Sequence, residues 1–144
     1  MRDQMMNKKR FKSVSGFLTL LIVLFYLPAV ALDAGFHRDI SPQDSLLLIQ
    51  ANRDNPDFIM MDVRTPAETA TGKIGNPIEL DMLSPGFPNA LQKLDKQKTY
   101  FVYCRSGNRS GQAMALMKQL GFQRVFNMTG GIRDWENLGY PITK

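Results

Sequence analysis

The 144 residues of this chain suffice for one ordinary domain, and its net charge of +5 at pH 7 belongs mostly to the first stretch. Residues 1–31 hold five Lys/Arg and one Asp, which leaves 13 Lys/Arg against 12 Asp/Glu in the remainder, so nothing supports a nucleic-acid-binding surface and no nucleic-acid partner is expected. A single cysteine excludes an internal disulfide, and there is no internal repeat and no low-complexity tract.

The chain opens on a leader pattern. Arg2, Lys8, Lys9, Arg10 and Lys12 precede an apolar run from Gly16 to Leu27, and Ala29-Val30-Ala31 is a small-x-small site of the kind a signal peptidase cuts. This predicts a signal peptide over residues 1–31, cleavage after Ala31 and an exported, periplasmic protein. The alternative is an uncleaved anchor that holds the domain on the periplasmic or outer face of a membrane; the apolar run is shorter than the ~20 residues a spanning helix needs. Residues 32–40 read as a short N-terminal segment and 41–144 as the domain.

Ser41-Pro42-Gln43-Asp44 is a helix start, with a Ser cap and Pro in the first turn, and the helix is expected to end near Asn52. Residues 58–63 form a nearly continuous apolar run, as expected of a parallel strand covered on both faces. Thr65-Pro66-Ala67-Glu68 opens a short helix, Pro77 to Leu80 is a weaker strand candidate, and Phe87 to Leu94 is helical. Thr99 to Tyr103 is a strand rich in aromatic and β-branched residues, followed by an amphipathic helix from Arg109 to Leu120 closed by Gly121. Arg124 to Asn127 makes a last strand; Gly130-Gly131 breaks the chain, and Ile132 to Asn137 forms a short helix carrying Trp135. Alternating helices and strands with short links predict a three-layer α/β/α domain with a mainly parallel central sheet.

In such a sheet, ligands bind beyond the carboxyl ends of the strands, where Cys104 falls. A tight polar loop there turns backbone N–H groups inward and the next helix adds the positive end of its dipole, so the loop suits an anion. Arg105 and Arg109 add permanent positive charge. A reactive thiol is the favoured reading; an intermolecular disulfide and an inert buried cysteine are the alternatives. The only histidine, His37, has no motif around it and reads as a solvated surface residue, which argues against a Cys–His hydrolase.

These pieces, taken in order, resemble the single-domain rhodanese-like sulfurtransferases. The resemblance runs from about Ser41 to Thr143: Asp62-Val63-Arg64 with Glu68; Gly72-Lys73-Ile74-Gly75 before an apolar strand; Cys104-Arg105-Ser106-Gly107-Asn108-Arg109-Ser110; and Gly130-Gly131-Ile132-Arg133-Asp134-Trp135 with Gly139-Tyr140-Pro141. One piece departs from the pattern. Lys73 stands where relatives often carry His, and Asn76-Pro77 shortens the link that follows, so no role is carried over from that His.

The resemblance implies transfer of sulfane sulfur. The Cys104 thiolate accepts sulfur from thiosulfate or a similar donor, becomes a persulfide, and passes the sulfur to cyanide, a thiol or a protein dithiol. No metal and no cofactor is implied beyond the covalent persulfide, and a monomer is expected. Arg105 and Arg109 would hold the donor's oxyanion end, although Arg109 has the alternative of holding the loop through Asp62 or Glu68. Ser106, Gly107, Asn108 and Ser110 would contribute backbone N–H groups, while Asp62, Arg64 and Glu68 would form a structural network under the loop. Trp135 reads as core. An exposed thiolate of low pKa in an oxidising compartment would be open to oxidation. Two other classes share such a thiolate loop or fold: cysteine phosphatases and arsenate reductases, whose Cys-x5-Arg loop is one residue longer than Cys104-x4-Arg109, and non-catalytic binding modules, which generally lack the cysteine.

Overall fold

The two apolar runs that anchor the sequence reading lie side by side. In a computed structural model that describes residues 35–144, Phe58–Asp62 (β2) pairs in parallel with Thr99–Tyr103 (β4), with Asp62 opposite Tyr103. Around them a five-stranded, all-parallel sheet runs in the order β1-β5-β4-β2-β3, where β1 is Phe36–Ile40, β3 is Ile78–Glu79 and β5 is Arg124–Met128. The leader lies outside the described residues.

Successive residues of β4 point to opposite faces, and this divides the core in two. On one face Tyr100, Val102 and Cys104 pack with Met61, Val63 and Val125 under two helices, α3 (Phe87–Gln92) and α4 (Asn108–Gln119). On the other, Phe101 and Tyr103 pack with Met128, under α1 (Pro42–Ala51) and α5 (Gly131–Asn137). Burial on both faces explains why β2 and β4 read as unbroken apolar runs. Trp135 is buried in this second core, its indole N–H donating to the Pro141 carbonyl at 2.9 Å while its ring meets Tyr140 edge-on at 5.0 Å.

Local chemistry starts the helices where the sequence says. Ser41 caps α1 by accepting from the Asp44 N–H at 3.1 Å, and a short helix α2 (Pro66–Thr69) begins with a capping box in which Thr65 and Glu68 serve each other's backbone. Two expectations need correction. Residues 36–40, given no element by the sequence reading, are edge strand β1, in register with β5 from Phe36 opposite Arg124 to Ile40 opposite Met128. His37 belongs to that strand and is half-buried rather than solvated, and its Nε2 is shielded from solvent without a hydrogen-bond partner.

Candidate active site

Cys104 follows β4 directly, so the central strand delivers it to the carboxyl end of the sheet. The chain must then reverse into α4 within a few residues. Gly107 makes this possible with φ at +89°, a left-handed conformation that favours glycine, and it stands as the N-cap of α4 without a side-chain cap. The reversal turns the Gly107 N–H onto Cys104 Sγ at 3.2 Å, and the Ser110 hydroxyl, from the first turn of α4, approaches Sγ at 3.5 Å. That hydroxyl also lies 3.2 Å from the Gly107 carbonyl, so its one proton is shared between sulfur and oxygen.

Burial is the largest influence on the thiol and pushes its pKa up. Against it stand the Ser110 hydroxyl and the backbone N–H groups of Ser110, Ser106 and Gly107, which together hold the thiol below its ordinary value. Neither arginine of the loop is among these leading causes. The thiol is also not exposed, contrary to the sequence expectation: Cys104 is 0 % accessible, its sulfur lying beneath the loop.

The two loop arginines have different surroundings. Arg109 donates from both terminal nitrogens to Glu68, at 2.8 and 2.6 Å, which closes a planar two-bond pair between the loop and α2. That bond is the chief reason the Glu68 carboxyl is held down to about 2; burial opposes it, and the Thr65 N–H and hydroxyl assist it. Arg105 is exposed, and its guanidinium has no hydrogen bond or ion pair among the described residues.

Below this pair lies a second one. Arg64 bonds Asp62 at 2.6 Å, with both side chains buried, and reaches on to the carbonyls of Gly72 at 2.7 Å and Glu68 at 3.3 Å. The buried charges are thus matched to each other and to backbone acceptors. Asp62, Arg64, Glu68 and Arg109 form one continuous bracket that holds the loop from the side of α2. Asn108 turns outward, where its side-chain oxygen accepts from Gln112 at 2.7 Å, and Ser106 is exposed.

Helix α5 holds the loop through backbone contacts that no side-chain pattern in the sequence signals. The Ile132 N–H donates to the Cys104 carbonyl at 2.9 Å and the Arg133 N–H to the Arg105 carbonyl at 3.1 Å, so the first turn of α5 binds the loop's own backbone. A Cβ on Gly131 would stand 2.5 Å from the Cys104 carbonyl oxygen, which is why the chain can approach so closely only with glycine there. The Gly130-Gly131 pair was the one available sequence signal.

Residues 45–138 match the rhodanese-like domain family. The sulfurtransferase of Allochromatium vinosum is 41% identical over 99 residues, covering 69% of this chain and 91% of that protein. A tRNA uridine(34) hydroxylase of Cronobacter sakazakii is 32% identical over 102 residues; the match covers 65% of this chain and only 29% of that longer protein. Among solved structures, a rhodanese-related protein from Thermoplasma volcanium superposes with a TM-score of 0.61 at 32% identity, over 74% of this chain and 97% of its own. The family match begins inside α1 and ends just past α5, so it takes in every strand but β1 and the whole cysteine loop: the chain belongs to the rhodanese-like family.

Proposed function

We propose that the protein is a sulfurtransferase in which Cys104 carries sulfur as a persulfide. The observation that supports this best is the bonding of Sγ, which receives N–H and O–H donors from its own loop and needs no histidine base to ionise. The Allochromatium relative carries the same name for its activity. With thiosulfate as donor, the Cys104 thiolate attacks the outer sulfur, a new S–S bond forms at Sγ, and the bond within thiosulfate breaks as sulfite leaves with the electron pair. An acceptor thiolate or cyanide then takes the outer sulfur and returns Cys104 to the thiolate.

Arg105, whose side chain has no partner among the described residues, is the residue assigned to the donor's anionic end, whereas Arg109 positions the loop through Glu68. Because the thiol is buried, the donor reaches it only when the rim opens locally. The protein works as an exported, periplasmic monomer without a metal or cofactor in this reading.

The test is intact-mass analysis after oxygen-free incubation with thiosulfate. The wild type gains one sulfur and Cys104→Ser gains none; no gain in the wild type overturns the proposal and leaves a binding module. Phosphate-ester turnover that vanishes in Cys104→Ser would instead favour a phosphatase. Arg105→Ala is expected to raise the thiosulfate concentration for half-maximal loading about tenfold, the scale of one lost charge-assisted contact. An unchanged concentration dependence removes Arg105 from that role.

A further inference from the structure

A cavity of about 400 Å³ opens beside the catalytic loop, between α2 and α5, and its charges are unevenly committed. Two of its charged side chains are spent on the fold: Arg64 on Asp62 and Glu68 on Arg109. Three remain. Arg105 and Glu136 have no side-chain partner among the described residues, and the exposed Arg133 touches only its neighbour Asp134, at 3.1 Å. Arg133 and Glu136 are three residues apart on α5 and so share one face of the helix. The bond from the Arg133 N–H to the Arg105 carbonyl fixes this face in register with the loop that carries Cys104.

One cavity thus presents the unpaired Arg105 guanidinium, the Arg133 guanidinium bound only to the exposed Asp134, and the unpaired Glu136 carboxylate, with no ion pair among the three. Its volume fits a small polar ligand. From this we infer, resting on the sulfurtransferase reading, that the acceptor is a thiol bearing both a carboxylate and an ammonium group: an amino-acid thiol or the amino-terminal cysteine of a short peptide. Arg105 and Arg133 take the carboxylate and Glu136 takes the ammonium, which aims the thiolate at the loop. In the transfer step the acceptor thiolate attacks the outer sulfur of the Cys104 persulfide. The acceptor's new S–S bond forms as the bond to Sγ breaks, and Cys104 leaves as thiolate, with no external oxidant or reductant.

Four small thiols separate the two charges: cysteine carries both, 3-mercaptopropionate the carboxylate, cysteamine the ammonium, and 2-mercaptoethanol neither. With the full chain and thiosulfate as donor, kcat/KM per thiolate is expected to be highest for cysteine. Glu136→Gln should lower the ratio of cysteine to 3-mercaptopropionate about three- to fivefold, and Arg133→Gln the ratio of cysteine to cysteamine by a similar factor, the scale of one exposed ion pair. Each ratio is taken within one variant, so a partial loss of folded protein cancels. Equal use of all four thiols, or ratios unmoved in both variants, overturns the inference while cyanide turnover leaves the sulfurtransferase reading standing. Failure of wild-type Cys104 to gain sulfur from thiosulfate removes both. N-acetylcysteine, compared with a peptide whose first residue is cysteine, distinguishes a free amino acid from a peptide end as the source of the ammonium group.

Discussion

At the residue scale, the ionisation of Cys104 is a contest between burial and four loop donors, and only one of those donors is a side chain that mutation can remove. Ser110→Ala should therefore raise the thiol pKa, because it removes the one side-chain donor that favours the thiolate. The rate of iodoacetamide alkylation against pH reads this directly; a midpoint that does not move excludes the hydroxyl as a determinant. The Glu68–Arg109 pair gives a second pH dependence with a definite sign. Glu68 titrates at about 2 in the fold against an ordinary 4.5, so its contribution is complete above 4.5 and is lost as pH falls from there towards 2. Glu68→Gln should lower Tm modestly at pH 7, because the pair is partly exposed, and the gap from wild type should close as the pH falls through that window. A gap independent of pH would assign the effect to packing. The cysteine and its loop were legible in sequence because they form one contiguous stretch. Which arginine stays free was not, since it depends on a carboxylate 41 residues away meeting Arg109 across the top of the sheet.

At the element scale, the catalytic loop is held between two short helices. Helix α2 reaches it through the Glu68 side chain and α5 through backbone N–H groups, so the second contact depends on how closely two main chains can approach. Gly131 combines φ of +63° with backbone atoms 2.5 Å from a built Cβ, whereas Gly121, at φ of +89°, has nothing within 4 Å. Gly121→Ala should cost about 1 kcal/mol from conformational strain alone, and Gly131→Ala about 2–4 kcal/mol, since the contact adds to the strain. Denaturant midpoints measure both; equal losses would mean that α5 yields without disturbing the loop. Faster Cys104 alkylation in Gly131→Ala would report the loosened cover over the sulfur. Most helices and inner strands were readable from caps and apolar runs, with ends shifted by a residue or two. The role of α5 was not, because a backbone-to-backbone bond leaves no side-chain pattern beyond the glycines.

At the scale of the whole molecule, the alternation of strands and helices predicted a parallel sheet, but strand order needs long-range pairing that no local pattern carries. The first described strand lies beside the last: the Asn127 side chain donates to Asp39, 88 residues earlier, at 2.7 Å, and the Thr129 N–H donates to the Ile40 carbonyl at 2.9 Å. β1 escaped the sequence reading because Phe-His-Arg-Asp-Ile is short, charged in its middle and half exposed, as an edge strand tends to be. Its placement has a consequence for where the domain can be cut. A chain of residues 35–144 retains all five described strands, whereas 41–144 strips β1 from β5 and leaves that inner strand's hydrogen-bonding groups as an open edge. The shorter chain is expected to lose several kcal/mol of a total of about 5–15 and to self-associate through the uncovered β5. Urea unfolding and sedimentation of the two chains, at matched concentration, decide it. Equal midpoints with both chains monomeric would show that β1 is an accessory to the sheet, and that the domain is complete from Ser41 onward.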